Sequence, residues 1–193
     1  NLLREADRMH ILVNDLLDLS RLESAHEKLR VAEIDLPKVV HDAIQTVTPL
    51  AQKKGIVIRE NIEADLRAMY ADQLRLSQVL VNLVNNAVKF TPNGGEIRVI
   101  WRRLNEKSVE FKVQDTGIGI PEDDIPYIFD RFYRVEQNRQ RRQNSGGSGL
   151  GLTISKQVVD MHGGKIYCSS SPKGTTFTFT IPQKQPLPTV QQV

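Results

Sequence analysis

Apolar residues in the first 24 positions recur at helical spacing. Leu2, Met9 and Leu16 repeat at seven, Leu12 and Leu19 fall between them, and Ala6 and Val13 lie alongside. A stripe that broad predicts one long amphipathic helix in need of a partner helix. Nothing else in the chain matches it in length and pattern, so the partner is expected in an upstream segment or another subunit. A polar joint, Glu23 to Lys28, follows, and beyond it helix and strand signals alternate. Asp35 reads as the N-cap of a helix running to about Lys54, with Pro37 in its first turn and Gly55 as its stop. Strands are expected near 56–62 and 66–70, then a helix over about 72–90 capped by Asp72. Strands near 95–104 and 107–115, joined at Asn105-Glu106, come next. Residues 121–147 read as a long connection with one short helix. A helix from Ser148 to about His162 stops at Gly163-Gly164, and two strands near 165–171 and 174–182 follow. There are no internal repeats. This order predicts an α+β two-layer sandwich, with helices on one face of a mixed sheet, preceded by the long helix. Residues 1–26 form one unit and 27–183 the main domain, while 184–193, with Pro186 and Pro188, is expected to be disordered.

Four places break this pattern. In the strand near 107–115, Val109, Phe111 and Val113 alternate with Glu110, Lys112 and Gln114, the period of a half-buried strand. Asp115 continues the apolar parity and so points inward, where a carboxylate is costly unless satisfied. It stands just where Thr116-Gly-Ile-Gly-Ile120 opens the backbone; a plain turn Asp is the competing explanation. In the last strand Thr175, Phe177, Phe179 and Ile181 share the inward parity, while Thr176, Thr178 and Thr180 face out. Thr175, after the permissive Gly174, is thus a second inward polar group, and the two together could read the polar edge of a ring. The helix over 72–90 carries Leu76, Leu80, Leu83, Val84 and Ala87 on one side and Gln78, Asn82, Asn86 and Lys89 on another. Asn is a poor helix former. Asn82, Asn85 and Asn86 together therefore point to hydrogen bonding or metal coordination rather than to a solvated face. An amide oxygen suits Mg2+, and Lys89 suits a phosphate. Finally, Ser145-Gly-Gly-Ser-Gly-Leu-Gly-Leu152 runs straight into a helix, where glycines admit an anion to unpaired N–H groups. It is neither a Walker A sequence nor the dinucleotide fingerprint.

Composition narrows the choice. At 193 residues and 39% hydrophobic, the chain can bury one full core. A net charge of +3 is too mild to argue for nucleic acid, and no basic motif with interleaved aromatics occurs, so no nucleic-acid partner is expected. Cys168 is the only cysteine and reads as a small buried strand residue. No disulfide framework is possible, and a reducing, cytoplasmic compartment is the expectation. No apolar run approaches the ~20 residues of a membrane span. The chain opens in mid-helix without Met and reads as a soluble, excised piece, which leaves an upstream membrane anchor open.

The segments Asn82-Leu-Val-Asn-Asn-Ala-Val-Lys-Phe-Thr91, Asp115-Thr-Gly-Ile-Gly-Ile120, Phe129-Asp-Arg-Phe132, Gly147-Ser-Gly-Leu-Gly-Leu152 and Gly174-Thr-Thr-Phe177 resemble, in order, the ATP-binding boxes of sensor histidine kinases of two-component systems. The likeness covers about 33–182, and Asp15-Leu-Leu-Asp-Leu-Ser-Arg-Leu-Glu23 resembles the second helix of that family's dimerisation hairpin. The resemblance implies a Bergerat-type ATP-binding fold with a lid over about 121–147. Asp115 would accept from the adenine amine with Thr175 assisting through water, and Gly117, Gly119 and Ile120 would shape the pocket. Asn86 would ligate Mg2+, with Asn82 and Lys89 near the phosphates. Gly147, Gly149, Leu150, Gly151 and Leu152 would form the lid end and helix start around them, and Phe129 and Phe132 would anchor the lid. One or two of Arg131, Arg134, Arg139, Arg141 and Arg142 would reach the γ-phosphate. The implied partners are ATP, a phosphoacceptor helix, a response-regulator receiver domain and a second copy in the intact protein.

One departure shapes the expected activity. The family's phosphoacceptor box is absent, because His10, His26, His41 and His162 have the wrong neighbours and read as surface or cap histidines. The expectation is the kinase's ATP-binding catalytic portion, its acceptor His lying elsewhere. The pocket also resembles that of ATP-hydrolysing clamps of the gyrase, mismatch-repair and heat-shock chaperone type. Those carry a water-activating Glu one turn before the Mg2+ Asn; here that position is Asn82. A non-catalytic nucleotide-sensing module is the third reading.

Overall fold

The computed structural model describes residues 2–24, 27–62, 66–135 and 148–183. The long helix, α1, spans Leu2–Glu23. Strand β1, Ala32–Asp35, leads into α2, Leu36–Lys53, and β2, Val57–Ile62, follows. Next come β3, Ala68–Ala71, and α3, Gln73–Phe90. The hairpin of β4, Glu96–Asn105, and β5, Ser108–Asp115, precedes a 3-10 turn over Glu122–Tyr127. Helix α4, Gly151–Met161, and strands β6, Lys165–Ser171, and β7, Gly174–Pro182, complete the order. The expected tail, 184–193, lies outside the described residues.

Five strands form a mixed sheet in the order β2-β4-β5-β7-β6; β2 and β4 are parallel, and the other neighbours antiparallel. The parities read from the sequence hold. Ile97, Val99 and Trp101 of β4, Val109, Phe111 and Val113 of β5, and Phe177, Phe179 and Ile181 of β7 are buried on one face. Phe111 and Phe179, paired in register, stack at 4.6 Å between centroids. Against this face lie the apolar sides of α2, α3 and α4, among them Val40, Leu80, Leu83, Val84 and Ile154. The fold is therefore α+β, a mixed sheet layered with helices. The outer face carries one surprise: Glu110, expected on the polar side, is on it yet only 5% exposed. Burial opposes its charge, but bonds from Arg102 at 2.7 Å and Lys112 outweigh that and hold the carboxyl below its ordinary value.

Two features depart from expectation. Strand β1 was not anticipated. It is four residues long with one buried position, Ile34, too short for a period, and it forms by pairing antiparallel with β3 in a separate two-stranded sheet. Helix α4 starts at Gly151 rather than at Ser148. Ser148 Oγ accepts from Leu150 N–H and Gly149 turns at φ +75°, so the chain reverses before it coils. In the polar joint after α1, Glu27 pairs with Arg75 at 2.9 Å.

The ends of α3 matter most, because α3 carries the asparagines. Asp72 caps its start, its carboxylate accepting from Arg75 N–H and Arg30 N–H, while its own N–H donates to His162 Nε2 at 3.1 Å. At the other end Lys54 Nζ donates to the carbonyls of Val88 (2.7 Å), Lys89 (3.1 Å) and Thr91 (2.5 Å). An ammonium at a helix C-terminus satisfies orphan acceptors and complements the dipole.

Helix α1 rests on α4 through Leu19 and Leu22, 2% and 3% exposed. Among its other described apolar side chains, Met9 (68%), Val13 (51%) and Leu16 (40%) stay exposed. Asp18 pairs with Arg75 at 2.8 Å and accepts from Gln78. Gln78, on the same side of α3 as Asn82, thus bonds to α1. No described helix is long and apolar enough to cross a membrane.

Substituting Lys54→Met should lower stability by about 1–3 kcal/mol, since three carbonyls lose a charged donor. Urea unfolding measures it, and an unchanged midpoint would assign the end of α3 to other contacts.

Candidate functional site

The last residue of β5 puts its side chain at the rim of the core. Asp115 is 6% exposed, as its parity requires. Its Oδ1 accepts from Gly117 N–H at 2.7 Å and from Thr175 N–H at 3.2 Å. Among the described residues no bond falls on Oδ2. Burial pushes the carboxyl above its ordinary value, and the two N–H donors pull it part of the way back. The strand start at Thr175 and the turn at Gly117 thus hold one oxygen and leave the other for a donor from outside.

The glycines around this carboxylate are there for space. A Cβ on Gly117 would sit 2.5 Å from Asp115 Oδ1, and one on Gly174 would sit 2.0 Å from Asp115 O. Gly119 adopts φ +74° and approaches Ser171 O where a Cβ would be 2.1 Å away. Ile118 N–H donates to Phe90 O, tying this loop to the end of α3. Ile120 packs on the core, and its N–H donates to Ser170 Oγ at 2.8 Å.

On α3, Asn86 and Lys89 are half-buried, with Lys89 Nζ 5.0 Å from the Phe90 ring centroid. Asn82 is engaged: its Nδ2 donates to Gly151 O at 3.1 Å and lies 3.5 Å from Ser155 Oγ. It braces the start of α4, and its Oδ1 is the atom left for other duty. Leu150 is fully buried and Leu152 half-buried against the core, so these two anchor the helix start apolarly. At Gly151 a Cβ would meet nothing closer than 3.7 Å, so its small size is not required for packing. Gly149 is held by Phe132 N–H, which donates to its carbonyl at 3.2 Å. Gly147 lies outside the described residues, as do Arg139, Arg141 and Arg142.

The two lid phenylalanines part ways. Phe129 packs on the core, edge-on to Phe177 at 6.3 Å, and its carbonyl accepts from Thr153 Oγ1. Phe132 is 52% exposed at φ +62°, and does not anchor the segment apolarly. Arg131 pairs with Glu23 of α1. His10 and His41 are exposed, with Asn14 and Glu60 as partners, while His162 ends α4 with Nδ1 donating to Val158 O. His26 lies outside the described residues. Burial, with the nearby Asp115 charge, pushes the Cys168 thiol up to about 12, so it stays protonated and unreactive.

Sequence reasoning missed Ser170, whose Oγ touches Ile120 N, Gly174 O and Thr175 Oγ1. It shares the parity of Ile166 and Cys168 on β6, so the test that exposed Asp115 and Thr175 would have found it. Ser155, fully buried on α4 with its hydroxyl donating to Gly151 O, was hidden inside a helix that read as amphipathic. Among the described residues no cluster of three His, Cys, Asp or Glu could hold a metal.

Because the folded carboxyl of Asp115 holds its proton more tightly than the unfolded chain would, its ionisation costs stability as pH rises through the raised value. Asp115→Asn keeps a carbonyl oxygen for Gly117 and Thr175 without the charge. It should melt at least as high as the parent at neutral pH. The advantage should shrink as pH falls and vanish near the ordinary 3.8. Thermal melts across pH check this; a lower neutral-pH melting temperature would show the charge to be stabilising.

Residues 71–185 match the family described as histidine kinase-, DNA gyrase B- and HSP90-like ATPase. The sensor histidine kinase WalK of Bacillus subtilis (strain 168) is 39% identical over 183 residues, 94% of this chain and 30% of that protein. The sensor-like histidine kinase SenX3 of Mycobacterium tuberculosis (strain ATCC 25618 / H37Rv) is 37% identical over 179 residues, 92% of this chain and 43% of that protein. Among solved structures, full-length ShkA in complex with AMPPNP matches with a TM-score of 0.82 at 31% identity, over 96% of this chain and 38% of that one. Histidine kinase ThkA in complex with response regulator protein TrrA matches with a TM-score of 0.75 at 26% identity, over 94% and 49%. The chain spans less than half the length of each of these four proteins. With more than half of its residues under the family match and the Asp115 pocket inside that span, the chain belongs to the histidine kinase-, DNA gyrase B- and HSP90-like ATPase family.

Proposed function

We propose that this chain is the ATP-binding catalytic part of a sensor histidine kinase. It would deliver the γ-phosphoryl of Mg·ATP to a histidine outside residues 1–193, for relay to an Asp of a response regulator. The observation that carries the reading is the half-satisfied Asp115 carboxylate, with Oδ1 held by Gly117 and Thr175 and Oδ2 left to accept the adenine amine. The similarity to ShkA, a protein solved in complex with AMPPNP, supports a nucleotide in this pocket.

The donor set suits a magnesium ion shared with phosphate. Asn86 offers an amide oxygen, and with no carboxylate cluster among the described residues the phosphates would supply the remaining hard oxygens. Bound there, the ion supplies charge neutralisation on the phosphates. Lys89 would add a point charge, and Asn82 would hold the α4 start in place beside them. Gly147, Gly149 and Gly151 would let the backbone approach the phosphates. In the transfer an imidazole nitrogen attacks Pγ, the bond to the ADP oxygen breaks, a P–N bond forms and the imidazole gives up a proton. The protein's share is positioning and charge compensation.

Residues 1–26 would be the second helix of a dimerisation hairpin, and 27–183 the catalytic domain. The exposed apolar side of α1 supports a missing acceptor helix and a second copy, and the ThkA–TrrA complex supports a response-regulator partner. The ATPase-clamp reading is weaker: Asn82 is no general base, and its amide is already bonded to α4.

Two experiments test this. Asn86→Ala should weaken Mg·ATP binding more than binding of ATP in chelator; equal losses would make Asn86 structural. Incubating the chain with γ-labelled Mg·ATP and a separate helical hairpin bearing an acceptor His should place acid-labile label on the hairpin. Free phosphate should appear slowly, since general-base help is typically worth ~10²–10⁴-fold. Rapid phosphate release without transfer would favour the clamp.

A further inference from the structure

Ser170 makes more contacts than one hydroxyl proton can serve. Its Oγ accepts from Ile120 N–H at 2.8 Å, lies 3.2 Å from Gly174 O, and lies 2.9 Å from Thr175 Oγ1, where either oxygen could be the donor. A serine has one O–H and two acceptor lone pairs, and Ile120 takes one lone pair. Two arrangements are left. In the first, Ser170 donates to Gly174 O and accepts from Thr175, so all three contacts are made. In the second, Ser170 donates to Thr175 and gives up Gly174 O.

The first arrangement makes one hydrogen bond more, so it prevails. Its consequence lies at Thr175. With its proton turned toward Ser170, Thr175 Oγ1 presents only lone pairs on its other side. Thr175 is also the residue whose N–H holds Asp115 Oδ1, so this acceptor stands beside the carboxylate. The rim then carries two acceptors and no hydroxyl donor. Such an edge suits a purine with an exocyclic amine and disfavours one with a 6-oxo group.

We propose that Ser170 is a positioning residue for base selection: by fixing the direction of the Thr175 hydroxyl it makes the pocket prefer adenine over 6-oxopurine nucleotides. This rests on the reading of the Asp115 pocket as the nucleotide site. Ser170 needs no contact with the base, and it also ties the Gly117–Ile120 turn to the β6–β7 hairpin.

Calorimetric titration of Mg·ATP and Mg·ITP into the parent chain and two variants tests it. The parent should bind ATP and prefer it over ITP; no ATP binding would overturn the pocket reading and the proposal with it. Given parental binding, Ser170→Ala should lower the ATP-to-ITP preference roughly 5- to 10-fold, the worth of one hydrogen bond. Ser170→Thr, which keeps the hydroxyl, should stay within about 2-fold of the parent, a difference below one hydrogen bond. A purely structural serine would weaken both nucleotides equally, and an unchanged ratio in Ser170→Ala would overturn the proposal while leaving the ATP site intact. Should Ser170→Ala fail to fold, Ser170→Cys preserves the shape with a weak donor and acceptor. It should show the same fall, and a parental ratio there would be equally fatal.

Discussion

Everything near the site is organised by one buried carboxylate that the fold half-satisfies. Asp115 closes an apolar parity with a charge, and two backbone N–H groups, from Gly117 and Thr175, bond to the same oxygen. A buried charge without partners is among the costliest things a fold can contain. A charge partnered on one side only is a standing demand for a donor on the other. The raised carboxyl reflects that cost. The surrounding glycines are what the demand requires of the backbone, because a Cβ at Gly117 or Gly174 would occupy the space of the carboxylate or its own carbonyl.

The rest of the pocket is held by side chains that tie one element to the next. Asn82 joins α3 to the first turn of α4, Lys54 ties α2 to the end of α3, and Ile118 N–H ties the glycine turn to Phe90. The asparagine-bearing helix is thus fixed at both ends and along its length, so Asn86 and Lys89 occupy defined places relative to Asp115. Helix α1 attaches to this body by a small apolar contact at Leu19 and Leu22 and by ion pairs at Asp18 and Glu23, with Glu27 of the following joint adding a third. Most of its described apolar side chains stay open. That division suits the role proposed for α1, held to the α+β body on one side and open to another helix on the other.

Much of this was legible in the residues alone. Periodicity gave the sheet face and the apolar sides of α2, α3 and α4, and breaks in periodicity gave Asp115 and Thr175, because an inward polar side chain is visible against an alternating background. What was not legible had physical reasons. Strand β1 has one buried residue and exists through its partner β3. Ser148 is the chemically natural cap, but Gly149 in a left-handed turn delays the helix to Gly151. Gln78 shares a helix face with Asn82 by spacing, yet its partner Asp18 comes from sixty positions away, which spacing cannot encode. Ser170 was less visible because only Ile166 and Cys168 mark the inward parity of β6 ahead of it.

Occupation of the Asp115 pocket by an adenine nucleotide is the central claim. The most direct measurement is the amide spectrum of the isotopically labelled chain as Mg·AMPPNP is added. The amides of Gly117 and Thr175, which bond the carboxylate, and of Ile120, which bonds Ser170, should move together and saturate with the ligand. If those three stay in place while shifts gather elsewhere, on the outer face around Glu110 for instance, the Asp115 pocket is not the nucleotide site.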